Sequence, residues 1–262
     1  MSFLHAIHPL YVLSGFGVGF LVGMTGVGGG SLMTPILVLL FGVHPVTAVG
    51  TDLIYASVTK TGGSIVHGFN KTIDWRVVAR LASGSIPASL LTLGALYYFQ
   101  IDTGASNVLI SKVLGVALLL TSVSLFLRKR LLATYSLRVG LLSPAKTRNY
   151  TILTGLVLGV LVTISSIGAG AIGVTILLLL YPELPIKKIA GSDIAHAVPL
   201  TLVAGLGHLL GGAINIPVLE SLLMGSLPGI MLASAFAPRL PDSALRYTLA
   251  VTLLLVAARL LF

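Results

Sequence analysis

The sequence predicts an all-α polytopic membrane protein built from two related halves, and three observations carry that expectation. First, the 262 residues are 56% hydrophobic and only 9% charged, with a mean hydropathy of +1.05. A soluble domain charges about a quarter of its residues to cover its core. Second, apolar stretches of roughly 20 residues, the length that crosses a bilayer core, follow one another with short polar connections. Third, rare residues recur at one constant offset of 141. Gly50-Thr51-Asp52 meets Gly191-Ser192-Asp193, His67 meets His208, and Gly84-Ser85-Ile86-Pro87 meets Gly225-Ser226-Leu227-Pro228. Such self-similarity marks a duplication.

Taken in order, an apolar stretch over 10–41 is interrupted at 25–31 (TGVGGGS), and spans follow at 45–67, 77–98 and 105–127. A basic connection covers 128–149. The pattern then recurs: a stretch over 150–181 interrupted at 165–173 (SSIGAGAIG), with spans at 188–210, 219–236 and 244–262. Residues 1–127 thus form a first transmembrane repeat, 128–149 a basic cytoplasmic linker, and 150–262 a second repeat. Each repeat is one glycine-broken or re-entrant segment plus three transmembrane helices.

The composition excludes several classes of function. The connections are too short for a soluble catalytic or nucleic-acid-binding domain, and the net charge of +9 sits mostly at span ends, where the inner leaflet accounts for it. With no cysteine there is no disulfide framework, thiol chemistry or Cys metal site. No HExxH pattern or other metal set is present, no cofactor is expected, and the chain does not read as an enzyme. The N-terminal MSFLHAIHPLYVLSG has no Lys or Arg and no small-residue cleavage box, so a cleaved signal peptide is not expected.

Lys and Arg favour the cytoplasmic side of short loops, which orients the halves. Arg128, Lys129, Arg130, Arg138, Lys146 and Arg148 place the linker inside. Counting back through two spans places Lys71, Arg76 and Arg80 inside too. In the second half, a broken segment that crosses once puts Lys187, Lys188, Arg239 and Arg246 outside. One that dips and returns, or crosses as two short elements, puts all four inside. The second choice obeys the charge rule and makes the two halves an inverted repeat, the arrangement that underlies alternating access.

Irregular backbone at membrane depth is tolerated only against protein or a water-filled cavity. Gly28, Gly29, Gly30 and Gly170, with Gly26 and Gly168 beside them, permit a sharp turn and close backbone approach. The elements that follow, from Ser31 and from Val174, then start as half-helices inside the membrane. Two half-helix N-termini make an anion site without arginine. Hydroxyl residues flank both breaks: Thr25, Ser31 and Thr34, and Ser165, Ser166 and Thr175. Tight helix packing by small residues is the bland alternative.

Asp52 and Asp193 sit seven or eight residues inside the spans after the breaks, with Thr51 and Ser192 beside them. A carboxylate at that depth must be protonated, paired or wetted, which makes both candidates for proton coupling; capping of a helix that begins near residue 51 or 192 is the structural alternative. His196 lies three residues after Asp193 and is the candidate proton-relay partner. Lys60, two turns after Asp52, is placed to contact an anion or that carboxylate, or to snorkel to the interface; its repeat counterpart is Thr201. His67 and His208 read as interfacial, and Pro87 and Pro228 as helix-bending residues.

The stretch GVGGGSLMTPILVLLFGVHPVTAVGTDLIYASVTKTGGSIVHG, residues 26–68, resembles the first repeat of the TauE/SafE sulfite exporter family, also called the four-toluene-sulfonate uptake permease family. Residues 165–208, SSIGAGAIGVTILLLLYPELPIKKIAGSDIAHAVPLTLVAGLGH, resemble its second repeat. The resemblance implies secondary transport of small sulfur-containing anions across the bacterial inner membrane. Carried over by motif, its functional positions are Gly28 to Ser31, Thr51, Asp52, Gly170, Ser192 and Asp193. The second break reads GAGAIG and departs from the plain GxGGG of the first.

The function expected is therefore a secondary transporter of a small anion, sulfite or an organosulfonate, working by alternating access with the proton as coupling ion. The anion would contact Gly28, Gly29, Gly30, Ser31, Thr51, Lys60, Gly170 and Ser192, and the proton Asp52, Asp193 and His196. Lipid is the other partner expected, and nucleic acid is not. A passive anion channel or a transporter of a small carboxylate is the alternative.

Overall fold

The computed structural model describes residues 8–25, 30–98, 104–140, 142–236 and 242–262. Among them there are ten helices and no strand. The first five are α1 (Pro9–Thr25), α2 (Gly30–Leu39), α3 (Pro45–Phe69), α4 (Trp75–Tyr98) and α5 (Gly104–Gly140). The second five are α6 (Pro144–Ser165), α7 (Ala171–Leu180), α8 (Ile186–Leu210), α9 (Ile216–Phe236) and α10 (Asp242–Leu261). The protein is a multi-pass membrane protein. Five stretches are long and apolar enough to cross a bilayer: Trp75–Tyr98, Ile110–Thr134, Pro144–Ser165, Ile186–Leu210 and Ile216–Ala233. Large apolar side chains such as Leu91, Met231 and Leu255 face outward, as a lipid-facing surface requires.

Local chemistry sets the helix ends. Pro45 and Pro144 open α3 and α6 at positions where a missing N–H costs nothing, and Ser143 Oγ accepts from Lys146 N. Asp74 Oδ1 caps α4 by accepting from Arg76 N and Val77 N at 3.0 and 3.3 Å. At the corresponding place in the second half, Asn215 Oδ1 accepts from Val218 N at 3.2 Å. Within the basic segment 128–149, α5 continues to Gly140 and α6 begins at Pro144. Its Leu, Ala, Arg and Lys residues are strong helix formers, so the helix outlasts the apolar span.

Inter-helix contacts fix the direction of each element. On α3 and α8 they run in opposite senses: Gly50 against His208, Ile54 against Gly205, Gly63 against Ile194, and His67 against Gly191. α1 and α9 run the same way, with Gly15 on Leu222 and Gly19 on Ser226. So do α4 and α6, with Leu81 on Gly155 and Ser85 on Gly159. α3 to α4 and α8 to α9 reverse through short connections, so α1 runs parallel to α3, and α6 to α8. The short helices α2 and α7 between them therefore double back. Ten-residue helices are about 15 Å long, half a bilayer core.

These contacts come in pairs related by the 141-residue offset. Thr51 Oγ1 accepts from Asn215 N at 3.1 Å, and Ser192 Oγ from Asp74 N at 2.8 Å. A Cβ on Gly50 would strike Ala213 O, and one on Gly191 would strike Thr72 O. Each half thus buries the start of its third helix against the hairpin connection of the other.

Candidate functional site

The α6–α7 break is built for sharp reversal. α6 stops at Ser166, whose φ of 58° is left-handed, and α7 starts after Gly170, whose φ of 124° and ψ of −88° suit glycine alone. Gly170 offers no side-chain cap, so the first N–H groups of α7 lack one within the buried interior. In the first half Gly30 opens α2 and Ser31 follows in its first turn. Gly28 and Gly29 lie outside the described residues.

Each half-helix faces a carboxylate of the following helix. Asp52 is fully buried and sits well inside α3, which begins at Pro45, so it does not cap its own helix. Its Oδ2 instead accepts from the backbone N–H of Thr34 on α2 at 3.2 Å, and from the Thr34 hydroxyl. Ser166 Oγ also faces this carboxylate, without reaching hydrogen-bond geometry. Asp193, 2% exposed on α8, lies against Gly173 of α7, where a Cβ would collide with its Oδ1.

Buried side-chain atoms left without a hydrogen-bond partner concentrate here. Among the described residues they are Asp52 Oδ1, Tyr55 OH, Ser166 Oγ, Asp193 Oδ1 and His196 Nδ1. All belong to α3, α8 or the α6–α7 break. Buried polar groups are ordinarily paired, so a cluster of orphans points to a site for water, ions or ligand. Lys60 is 7% exposed on α3 and interacts electrostatically with both Asp52 and Asp193. His196 holds Ser85 of α4 through Nε2 at 2.8 Å, and its other nitrogen is one of the orphans.

The structure places Lys60 between Asp52 on one side and Asp193 with His196 on the other, and the two carboxylates do not meet. It engages Thr51 and Ser192 in the inter-half bonds described above. His67 pairs with Thr72 at 2.8 Å, and His208 faces the Thr163 carbonyl at 3.0 Å, both at helix ends. A separate cleft of about 300 Å³ opens at the ends of α4, α6 and α7, lined by Arg80, Thr147, Tyr181 and Glu183. There Arg80 donates to Tyr181 OH at 3.0 Å.

A family model described as sulfite exporter TauE/SafE matches residues 11–260. The chain belongs to this family. Relatives cover most of its length. The probable membrane transporter protein YjnA of Bacillus subtilis (strain 168) is 37% identical, covering 95% of this chain and 98% of its own. The probable membrane transporter protein YdhB of the same organism is 24% identical, covering 97% and 100%. The probable membrane transporter protein MJ0441 of Methanocaldococcus jannaschii is 26% identical, covering 76% and 70%. No solved structure matches. This TauE/SafE chain is accordingly a membrane transporter and not an enzyme.

Two members of the cluster escaped the sequence reading. Tyr55 lies three residues after Asp52 on the same helical face, a spacing that signals proximity but no chemistry. In the sequence Gly173 only closes the break at 165–173, and the structure sets it against Asp193.

Proposed function

We propose that this chain is a secondary transporter moving a small anion, sulfite or an organosulfonate, across the bacterial inner membrane by alternating access coupled to protons. The observation that carries this reading is the cluster of orphaned polar atoms between two doubled-back half-helices and two buried carboxylates. Half-helix N-termini supply backbone N–H groups and a positive dipole end for the anion. Gly28, Gly29, Gly30, Ser31 and Gly170 provide that surface with Lys60, while Thr51 and Ser192 hold the halves in register behind it. Asp52, Asp193 and His196 handle the proton. Family membership supports transport as the activity. The antiparallel α3 and α8, and contacts paired at one offset, support two inverted repeats that rock against each other.

In this reading both termini face the periplasm, and 128–149, 182–187 and 237–243 face the cytoplasm. Cysteine placed at Leu184 of this Cys-free chain should react with an impermeant thiol reagent from the cytoplasmic side alone; labelling only from outside would sink the inverted arrangement. Gly170→Leu should abolish transport, because a side chain there meets both a forbidden φ and the anion surface. The deciding assay uses vesicles reconstituted with purified protein, with sulfite or methanesulfonate outside and an imposed pH gradient. Accumulation against the substrate gradient supports the reading. Flux that never exceeds equilibrium makes the protein a channel.

A further inference from the structure

The antiparallel register of α3 and α8 locates a centre. Contacts pair Gly50 with His208, Ile54 with Gly205, Gly63 with Ile194 and His67 with Gly191. A two-fold relation with an offset of 141 then passes between Val58 and Thr59 on α3, and between Pro199 and Leu200 on α8. Lys60 is within one turn of that point. Asp52 lies about 12 Å to one side of Lys60 along the helix axis, and Asp193 on the other side, about 20 Å from Asp52 in the same direction. A lysine side chain reaches about 6 Å, so one ammonium at the centre serves two carboxylates that do not meet.

The duplication did not produce this lysine twice. Its counterpart, Thr201, is buried and spends its hydroxyl on the Ala197 carbonyl at 2.8 Å. Among the described residues, Lys60 is the one charged group that acts on each carboxylate. The other elements against α3 add little. α2 has no titratable residue; α6 has Lys146, Arg148 and Tyr150 in its exposed first turns; α9 has Glu220 near its start; and α5 has Lys112, the exposed Lys129 and Arg130, and Arg128, which is already partnered. Against α8, α7 has no titratable residue, and α4 brings Asp74 and the exposed Arg76 at its start and Arg80, which donates to Tyr181 OH. From α3 and α8 themselves, Tyr55 and His196 face the cluster. Among the described residues, Lys60 is therefore the cation set between the two carboxylates, each of which has a bare oxygen, while Arg128 on α5, also buried, has a partner of its own.

We infer that Lys60 is a shared, tethered counter-ion that sets the charge of the cargo: the site takes one monoanion together with one proton and rejects dianions. This rests on the anion-transport reading above. At membrane depth the stable states are close to neutral. Without cargo, Lys60 balances one carboxylate and the other holds a proton. An arriving monoanion takes over Lys60, and the released carboxylate takes up one proton. A dianion leaves one negative charge with no cation and no carboxylate left to protonate. Sulfonates, hydrogensulfite and carboxylates satisfy the rule, and sulfate breaks it.

Calorimetric titration of the purified protein with methanesulfonate, in two buffers of different ionisation enthalpy, counts protons taken up per anion bound. One proton per sulfonate is expected, with sulfate binding at least about tenfold weaker at equal ionic strength, a difference that single-charge coupling readily supplies. Sulfonate binding without proton uptake, or sulfate binding equally well, overturns the inference while leaving anion transport standing. If methanesulfonate, sulfite and acetate all fail to bind, the transport reading falls with it. Lys60→Thr should lose both sulfonate binding and proton uptake, and adding Thr201→Lys should restore them by returning the charge from the other half. Unchanged uptake in Lys60→Thr counts against the inference, as does a double variant that inserts normally yet stays silent.

Discussion

Asp52→Asn combined with Asp193→Asn is expected to abolish pH-driven accumulation while leaving exchange of substrate across the membrane intact. Both carboxylates are buried at the faces of half-helices, and asparagine keeps their shape while fixing them in an uncharged form. Lys60 then still meets an anion, so substrate binds and swaps. The empty carrier, however, holds an unbalanced ammonium at membrane depth and cannot return. One proton per monoanion would give the unsubstituted protein about tenfold accumulation for each unit of pH gradient. The double variant should show none. Each single variant keeps one carboxylate opposite Lys60 and should still accumulate, at a lower rate. Vesicles with separately controlled pH and sodium gradients decide the matter: undiminished accumulation by the double variant removes both carboxylates from coupling, and a response to sodium alone removes the proton.

Most of the helical layout was legible because a bilayer imposes so much. Spans must be long and apolar, so the starts and ends of α3, α4 and α8 fall within a few residues of the hydropathy reading. That α5 runs on into the basic stretch 128–149 was not legible, because hydropathy registers leaving the membrane, not leaving the helix. Arg128, Lys129 and Arg130 lie within α5, which runs on to Gly140. The reversal at the breaks was only half legible. Glycines permit a turn of any sense, and the direction of α2 and α7 follows from how α1, α3, α6 and α8 pack against their partners.

The candidate site was legible through cost. A carboxylate in an apolar span announces itself, and Asp52 and Asp193 did so. Thr51 and Ser192 look equally exposed to substrate in the sequence, yet each hydroxyl accepts a bond from a loop more than a hundred residues away. Only the antiparallel pairing of α3 and α8 brings those loops near, and no local pattern encodes it. The central place of Lys60 was hidden for the same reason: its distance from Asp193 depends on register between the halves.

The other large effect lies in packing and separates glycines that hold helices together from Gly170, proposed to line the site. Gly84→Leu and Gly225→Leu should each prevent recovery of folded protein. At Gly84 a Cβ would strike Ile152 O and come within 2.8 Å of Leu156 N on α6; at Gly225 it would strike Val12 O and come within 2.7 Å of Phe16 N on α1. In both places one backbone rests on another, so no side chain can swing aside, and close approach of this kind is what holds membrane helices together without a hydrophobic drive. Forcing the helices apart costs about 3 kcal/mol or more at each site, a large part of a typical folding free energy of about 5–15 kcal/mol. Gly94 sits on the same helix as Gly84 with nothing within 4 Å of a Cβ. Gly94→Leu should therefore insert and melt like the parent, and adding leucine to a lipid-facing position carries no penalty. Size-exclusion profiles and thermal melts in detergent make the comparison. Gly84→Leu and Gly94→Leu behaving alike would mean that the α4–α6 contact does not hold the fold. Gly170→Leu should resemble Gly94→Leu in abundance and differ from it in transport, because its strain is confined to the turn between α6 and α7 and leaves the paired helices in contact.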